Sequence, residues 1–367
     1  MNFSLGRKRR FTVKRRDFLK AGVGGALALW GLAEKVQEQT VLAAAGREQM
    51  PAGRKVDIHA HAILPCFVQG LKKLGIDPVA EEGYPLPSWS EEAHVEFMRQ
   101  ANIDFTVLSP ATPHIYNGDE KLSCEVAREI NEETAALCRK YPDKFGFVAA
   151  LPFPSIAGSL AEISYAMDKL GALGVKVPSN AGGIYLGDAR WEKIFAELNR
   201  RKALVITHPS PARELPRKGT VTGQVMALFE YPADTTRAMV NLLASGMLER
   251  YPQVRLVVPH CGSFLPYMKQ RAKAMFAMLA GMKMMQPVDM EAGMKQLYYD
   301  LAGDPLPEAM DMLLKITDES HLLYGSDFPY VPAKALLAKK NGLDDELAKC
   351  HWLAKIYCQN SQELIFS

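Results

Sequence analysis

Cysteine is scarce in this chain of 367 residues. No two of its cysteines form a Cys-x-x-Cys pair, which argues against a zinc ribbon. A chain of this length can build a sizeable core without covalent cross-links, so we expect buried thiols and leave open one disulfide. The six residues are Cys66, Cys124, Cys138, Cys261, Cys350 and Cys358.

An apolar run long enough to span a membrane is also missing near the N-terminus. The run Ala21–Ala33 would form a helix of about 20 Å, shorter than the ~30 Å hydrocarbon core. A basic segment precedes it and the small residues Ala43-Ala44-Ala45 follow it, an order typical of a secretory leader. We therefore predict that residues 1–45 are a removable signal peptide, with a membrane anchor as the alternative.

The leader resembles a twin-arginine signal, because Arg15-Arg16 is followed closely by Phe18-Leu19-Lys20. That resemblance implies the twin-arginine export machinery as a partner. It also implies a periplasmic or extracytoplasmic location after leader removal. Proteins that use this route are exported folded, often with a cofactor in place, which suits a metal enzyme.

Positive charge is concentrated in this leader. Residues 1–45 hold nine Lys/Arg and three Asp/Glu. Subtracting these from the chain's 44 and 41 leaves 35 and 38, a net charge of −3. The mature part therefore gives no reason to expect nucleic acid as a partner.

Short apolar runs alternate with helical patterns after the leader. Eight runs predict strands: Val56–His61, Phe105–Ser109, Phe145–Leu151, Gly174–Val177, Ala203–His208, Val254–His260, Leu297–Leu301 and Leu322–Asp327. The amphipathic stretches between them include Cys124–Tyr141, Ile156–Leu170, Trp191–Arg201, Asp234–Glu249 and Pro307–Ile316. This alternation predicts an α/β fold, a (β/α)8 TIM barrel formed as a single domain by residues 46–367. No glycine-rich phosphate fingerprint follows the first run, which weakens a dinucleotide-binding alternative.

Two long connections leave the carboxyl ends of predicted strands, where barrel enzymes place their active sites. They are residues 67–90 and 209–232, and we predict that both form lids or substrate walls. Pro78, Pro85 and Pro87 predict irregular backbone in the second half of the first connection. Residues 344–366 are expected to form helices outside the barrel.

Side chains able to bind a metal end four of the predicted strands. His59 and His61 share one face of the first strand, since side chains two apart point the same way. His208 ends the fifth strand, His260 the sixth and Asp327 the eighth. Each alone could be an ordinary strand end or helix start. Placing all of these polar side chains together at one barrel rim would cost folding free energy unless they had a function, so we predict a divalent-metal site.

These motifs resemble the amidohydrolase superfamily, and within it the branch of aminocarboxymuconate-semialdehyde decarboxylase and related aromatic-acid decarboxylases. The segment Trp191–Arg201 also resembles that branch's fourth helix, and the similarity covers residues 55–367. The matching motifs are His59-Ala60-His61, Thr-His-Pro at His208, Pro-His-Cys-Gly at His260, and Gly325-Ser326-Asp327-Phe328-Pro329.

The resemblance implies that one divalent metal, usually zinc with manganese as an alternative, is bound by His59, His61, His208 and Asp327. Such a ligand set leaves an open position for water, whose pKa zinc lowers to roughly 7. His260 is then the nearby acid/base, and His is the side chain best matched to proton transfer near neutral pH.

Three further residues bear on this site. Lys176 occupies the position where other members of the superfamily carry a carboxylated lysine between two metals; the alternative is a barrel-lining lysine paired with an acid. His114 lies after the second strand and either touches substrate or faces solvent, of which we expect the latter. Asp57 has the strand parity of His59 and His61 but lies deeper, so we expect a buried hydrogen-bond partner inside the barrel.

Two reactions fit the predicted ligands. The first is non-oxidative decarboxylation of an aromatic or unsaturated carboxylic acid, with metal-bound water and His260 supplying a proton. The second is hydrolysis of an ester, lactone or amide, in which Asp327 or His260 moves the proton to the leaving group. The resemblance favours decarboxylation, and a small-molecule acid or lactone is the implied substrate.

One departure from the pattern concerns the grip on a substrate carboxylate. Some relatives use an arginine after the first strand, yet residues 67–98 contain none. The candidates to replace it are Lys72, Lys73, Arg213 and Arg237.

A non-enzymatic metal-binding protein on a degenerate barrel is a third functional class, which the intact motif set argues against. The resembling family also implies a homodimer.

Overall fold

The computed structural model describes residues 53–212 and 224–366. The predicted leader, residues 1–45, lies outside the described residues, as does Arg213. None of the helices in the described ranges combines the length and hydropathy needed to cross a membrane. All six cysteines are described and are free thiols, so the disulfide that the sequence left open is not formed.

In the described residues, eight parallel strands form one sheet in which each strand pairs with the next along the chain. The predicted (β/α)8 barrel is confirmed, and every predicted strand overlaps an observed one. The strands are β1 (Val56–Ala62), β2 (Phe105–Pro110), β3 (Phe145–Ala150), β4 (Gly174–Pro178), β5 (Leu204–His208), β6 (Arg255–Val258), β7 (Tyr298–Asp300) and β8 (Leu322–Leu323).

Helices surround the sheet and follow most strands. They are α1 (Pro65–Lys73), α2 (Pro78–Glu82), α3 (Glu91–Ala101), α4 (Glu120–Lys140), α5 (Ile156–Tyr165), α6 (Glu192–Arg200), α7 (Glu230–Ala244), α8 (Met247–Arg250), α9 (Leu265–Gly281), α10 (Met290–Gln296), α11 (Ala309–Leu313), α12 (Ala333–Lys349) and α13 (Asn360–Phe366). A π-helical turn extends α5 through Ala166–Leu170, and another, Lys355–Gln359, precedes α13. The predicted helical stretches all overlap these elements.

Pro78 was expected to prevent helix in the connection after β1, and that prediction is wrong. Pro78 is the first residue of α2, where its missing N–H has no helical partner to lose. The Asp77 side chain caps this helix by accepting the Val79 N–H at 3.0 Å. As a result, α2 buries Glu82 completely.

Hydrogen bonds between β1 and the chain after β8 close the barrel. The His59 carbonyl oxygen accepts the N–H groups of Ser326 and Asp327 at 3.1 and 2.8 Å, and the His61 N–H donates to the Phe328 carbonyl at 2.7 Å. Because one carbonyl accepts two N–H groups, the regular hydrogen-bond ladder between two parallel strands does not continue here. The eighth strand therefore ends at residue 323 rather than at the predicted Asp327.

A β-bulge in β1 changes which side chains face the barrel interior. From Val56 to His61, β1 advances five residues while the paired β2 advances four. Ile58 belongs to an apolar cluster contributed by strands on all sides of the barrel, and the next residue, His59, faces the other histidines. Asp57 therefore does not share the face of His59, contrary to the parity prediction. Its carboxylate instead accepts the His59 N–H at 3.1 Å, as a buried partner.

Substituting Gly174 with alanine should destabilise the barrel. A Cβ there would lie 2.0 Å from the Leu204 carbonyl oxygen on the neighbouring strand, so β4 and β5 would have to separate. We expect a loss of about 2 kcal/mol or more in the free energy of unfolding, measured by denaturant titration. Gly342→Ala is the control. It is exposed within α12 with nothing near its Cβ, and should stabilise the protein by up to about 1 kcal/mol. Equal effects at the two sites would contradict the packing argument.

Candidate metal centre and active-site cavity

The five predicted site residues meet at the carboxyl ends of the strands. His59 and His61 come from β1 and His208 is the last residue of β5, while His260 and Asp327 lie in the loops after β6 and β8. His59 and His61 are fully buried and His208 nearly so. The His260 and Asp327 side chains retain 21% and 17% exposure, which places them on the open side of the cluster.

The ligand atoms of this cluster lie close together. His59 Nε2 is 3.2 Å from His61 Nε2, and Asp327 Oδ1 is 3.2 Å from His61 Nε2 and 3.6 Å from His59 Nε2. One ligand atom from each of His59, His208, His260 and Asp327 lies within 4.8 Å of the others, so this group also could hold a metal ion. The predicted set has His61 in place of His260. The structure thus brings all five residues together without selecting four of them.

The hydrogen bonds behind the histidines orient their lone pairs. His59 Nδ1 lies 2.9 Å from Asp300 Oδ2, His61 Nδ1 lies 3.2 Å from the Pro110 carbonyl, and His208 Nδ1 lies 3.1 Å from that of Pro209. These carboxylate and carbonyl oxygens only accept hydrogen bonds, which favours a proton on each Nδ1 and a lone pair on each Nε2. The Ser109 hydroxyl lies 2.9 Å from His61 Nδ1 as well, and it can accept the same N–H while it donates to the Ala60 carbonyl at 3.2 Å. Such partners behind a metal-binding histidine fix its tautomer and its direction.

The spacing of these atoms fits a tetrahedral ion. Zinc–nitrogen bonds of about 2.0–2.1 Å imply about 3.3–3.4 Å between neighbouring ligand atoms. The observed separations among His59, His61 and Asp327 are 3.2, 3.2 and 3.6 Å. Two imidazole lone pairs facing each other at that separation repel, and a cation between them would offset the repulsion. The residues therefore fit a divalent metal.

Electrostatics keep His61, His208 and Asp327 in the protonation states that bind a cation. His59 is the exception, because burial lowers its pKa but the charge and hydrogen bond of Asp300 outweigh burial and raise it. Burial lowers the pKa of His61 to about 4, and burial together with the charge of Lys176 lowers that of His208 well below its usual value. Burial alone would raise the pKa of Asp327, but hydrogen bonds from His260 and His61 lower it well below its usual range. Neutral imidazoles and an ionised carboxylate are the protonation states that ligate metals.

Asp300 is a site residue that the sequence analysis missed. It ends β7 and is fully buried. Besides its contact with His59, its Oδ1 accepts the backbone N–H groups of His260 and Ala302 at 3.0 and 3.1 Å. The signal was available, because an acid at the carboxyl end of the seventh strand belongs to the same rim as the other ligands.

A cavity of about 680 Å³ opens beside the cluster. His208, His260 and Asp327 form part of its lining, and the rest comes from loops and from residues of α7, α11 and α12. Three phenols stand there: Tyr84 and Tyr231 from the connections after β1 and β5, and Tyr330 from the loop after β8. The two connections predicted as substrate walls thus reach the cavity through described residues.

A buried carboxylate, Glu82, lies behind these phenols. The Tyr231 hydroxyl donates to its Oε1 at 2.5 Å. Tyr330 belongs to the same wall, because its hydroxyl accepts the Thr112 N–H at 3.0 Å. Burial raises the pKa of Glu82, although hydrogen bonds from Tyr231, Thr112 and Tyr84 act in the opposite direction. Nothing in the sequence pattern distinguished Glu82 from a surface acid.

Lys176 and His114 occupy a narrow cleft that adjoins the cavity. The Lys176 ammonium donates to the Pro110 and Ala111 carbonyl oxygens at 2.7 and 3.2 Å, rather than to an acid as the alternative prediction had it. His114 was expected to face solvent, which is wrong. It is half-buried, its Nε2 lies 2.8 Å from the Phe153 carbonyl, and burial lowers its pKa to about 4.

Replacing Asp300 with asparagine should weaken metal binding. The neutral amide would remove the negative charge behind His59 while keeping the size of the side chain. We expect metal affinity to fall roughly 10- to 100-fold, measured by competition with a chromophoric chelator. Asp311→Asn, on the exposed surface of α11, is the matched control and should leave affinity unchanged. Unaltered affinity in Asp300→Asn would show that this carboxylate does not tune the site.

Comparison with known proteins places the chain among metal-dependent barrel enzymes. It is 33% identical over 294 residues to the 6-methylsalicylic acid decarboxylase of Penicillium expansum, covering 79% of this chain and 89% of that protein. The 2-amino-3-carboxymuconate-6-semialdehyde decarboxylase of Dictyostelium discoideum is 23% identical over 299 residues, covering 75% and 82%.

The fold is shared with solved structures. A 5-carboxyvanillate decarboxylase from Novosphingobium aromaticivorans, in complex with manganese, superposes with a TM-score of 0.75 at 19% identity, covering 87% of this chain and 99% of that one. The Amidohydro_2 family model, described as amidohydrolase, matches residues 56–366. That match runs from β1 through α13 and includes every residue of the metal cluster. The chain therefore belongs to this amidohydrolase family.

Proposed function

We propose that the protein is a metal-dependent decarboxylase that removes carbon dioxide from an aromatic carboxylic acid without oxidation. The observation that carries the proposal is the pairing of this cluster with an open cavity in a chain whose 33% identical relative decarboxylates 6-methylsalicylic acid. The cavity volume of about 680 Å³ accommodates one substituted benzene ring, and phenols line the cavity. The proposed substrate of the protein is a hydroxylated aromatic acid or a close unsaturated analogue.

Four residues hold the metal in this proposal: His59, His61, His208 and Asp327. The three histidines are buried and each has an oxygen behind its Nδ1, which is the arrangement of a ligand. His260 is more exposed and lies 3.6 Å from the second oxygen of Asp327, Oδ2, on the cavity side. Zinc suits this set of three nitrogens and one oxygen, and manganese is the alternative.

His260 is then the acid that protonates the substrate. A bound divalent ion would act as a Lewis acid towards the substrate's oxygen atoms. His260 gives a proton to the ring carbon that bears the carboxylate. The bond from that carbon to the carboxylate breaks, its electron pair restores the aromatic ring, and carbon dioxide leaves. Asp327 Oδ2, 3.6 Å from His260 Nε2, orients the imidazole towards the cavity.

Hydrolysis of an ester, lactone or amide remains the alternative reaction of this ligand set. No described feature of the cavity favours it over decarboxylation. The three enzymes compared above, from Penicillium, Dictyostelium and Novosphingobium, are decarboxylases. We therefore rank hydrolysis second.

The test measures metal content and carbon dioxide release separately. The purified protein should release carbon dioxide from one or more hydroxybenzoic or carboxymuconate-like acids, and a chelator should abolish this until zinc or manganese is restored. His61→Ala should lose bound metal. His260→Asn should retain it while kcat falls roughly 100- to 10,000-fold, since general acid catalysis contributes that much.

Two outcomes would contradict these assignments. Loss of metal from His260→Asn with retention in His61→Ala would exchange the two roles. Ring opening of lactones without carbon dioxide release from any acid would favour the hydrolase alternative.

We also propose export through the twin-arginine route. Residues 1–45 support it by composition alone: a twin arginine, a short apolar run and small residues before the mature domain. The mature protein should be recovered outside the cytoplasm, and Arg15→Lys/Arg16→Lys should hold the full-length precursor inside. The measurement is cell fractionation with N-terminal sequencing, and an intact N-terminus on exported protein would point to the membrane-anchor alternative.

A homodimer, the assembly implied by the resemblance, also remains a prediction. Exposed apolar side chains such as Tyr267, Met278 and Met282, along and after α9, support it. Light scattering on the purified protein would determine the assembly state.

A further inference from the structure

The region after β1 offers no arginine for a substrate carboxylate, and three of the predicted replacements lie elsewhere. Lys72 and Lys73 are exposed on α1, and Lys73 pairs with Glu129 at 2.9 Å. Arg237 is about half exposed and donates to Asp234 and to the Tyr185 hydroxyl. Each is either on the outer surface or already paired.

Lys176 differs from these cations in its position and in its partners. It lies in the middle of β4 and lines the cleft together with Thr112 and His208. Thr112 and His208 also line the large cavity, so the two spaces adjoin. A substrate held against His208 would therefore lie next to the cleft that this ammonium group lines.

The hydrogen bonds of Lys176 fix its direction but leave its charge unpaired. Two of its three N–H groups are held by the carbonyl oxygens of Pro110 and Ala111. Among the described residues, no carboxylate oxygen lies within 4.0 Å of its nitrogen. A cation enclosed in this way is costly without an anion, and the third N–H remains for one.

We infer that Lys176 binds the carboxylate of the aromatic substrate and thereby takes the place of the missing arginine. The inference rests on the proposed function, because it assumes an acid as the substrate. It makes Lys176 a specificity-determining residue: an aromatic acid completes the ion pair, and a neutral ester or lactone does not.

The surroundings of Lys176 agree with this role. Burial lowers the pKa of Lys176 to about 7, while the charges of Glu82 and Asp327 act in the opposite direction. A bound carboxylate would add a third negative charge and favour the ammonium form further. Burying the Lys176 ammonium costs free energy in the free protein, and binding of a substrate carboxylate would offset part of that cost.

The experiment compares two probes of similar size and different charge, benzoate and neutral benzamide, by calorimetric titration of the metal-loaded protein. Lys176→Met keeps the length of the side chain and removes its charge. It should weaken benzoate binding roughly 10- to 100-fold and change benzamide binding less than about twofold. Lys176→Arg should recover part of the benzoate affinity. Lys73→Met is the matched control on α1 and should bind both probes as the unaltered protein does.

Two results would overturn the inference. In the first, Lys176→Met binds benzoate as tightly as the unaltered protein. In the second, it loses affinity for both probes equally while thermal unfolding is unchanged, which would mean that Lys176 shapes the cleft without recognising charge.

Steady-state carbon dioxide release separates this inference from the proposed function. An increase in KM larger than the decrease in kcat for Lys176→Met would support the anchor. Release of carbon dioxide with an unaltered KM would overturn the anchor and leave the function standing. Charge-selective binding through Lys176 without release of carbon dioxide from any acid would support the anchor and contradict the proposed function.

Discussion

The backbone hydrogen bonds that close the barrel also position the proposed metal site. The His59 carbonyl accepts the N–H groups of Ser326 and Asp327, and the His61 N–H donates to the Phe328 carbonyl. Three of the proposed ligands, His59, His61 and Asp327, therefore sit on one hydrogen-bonded seam between the first and last strands. Their side chains cannot separate unless the barrel opens, which links the geometry of the site to the stability of the fold. This explains why a buried cluster that would repel itself as bare lone pairs can persist before an ion binds.

Burying so many ionisable groups is expensive, and the structure lowers that cost by dividing roles among them. Asp300 stands behind His59, and its charge and hydrogen bond raise the pKa of that imidazole against the opposite effect of burial. Asp327 stands in front, with one oxygen towards His59 and His61 and the other towards His260. A divalent cation between the front carboxylate and the imidazoles would compensate both the negative charge and the facing lone pairs. Binding of the ion is therefore expected to stabilise the fold as well as the reaction site.

Sequence reasoning found the strands and the five residues that cluster at the barrel rim, because both follow from simple periodicities. Apolar runs give the strands, and polar residues at their carboxyl ends meet at one rim whatever the loops do. It could not find the bulge in β1, since an inserted residue leaves no mark on composition; Asp57 was consequently assigned to the wrong face. It also could not find Glu82, whose burial depends on a short helix beginning at Pro78, or the Phe153 carbonyl that holds His114. In each case a tertiary contact decides the outcome, and local pattern does not encode it.

The division between metal cluster and cavity walls locates specificity in this enzyme. The proposed ligands come from strand ends and from the loops directly after them, and the hydrogen-bonded strands of the barrel hold this backbone in place. Tyr84 and Tyr231 come from long connections after β1 and β5, which can change without disturbing the seam. Lys176 is intermediate, because its backbone belongs to β4 but its direction depends on the carbonyl groups of Pro110, the last residue of β2, and of Ala111. A change at Ala111 would redirect the ammonium, whereas a change at Pro110 would also move the oxygen that faces His61 Nδ1. On the inference drawn above, the preference for an acid would therefore depend partly on the chain at the end of β2 and not on the metal cluster alone.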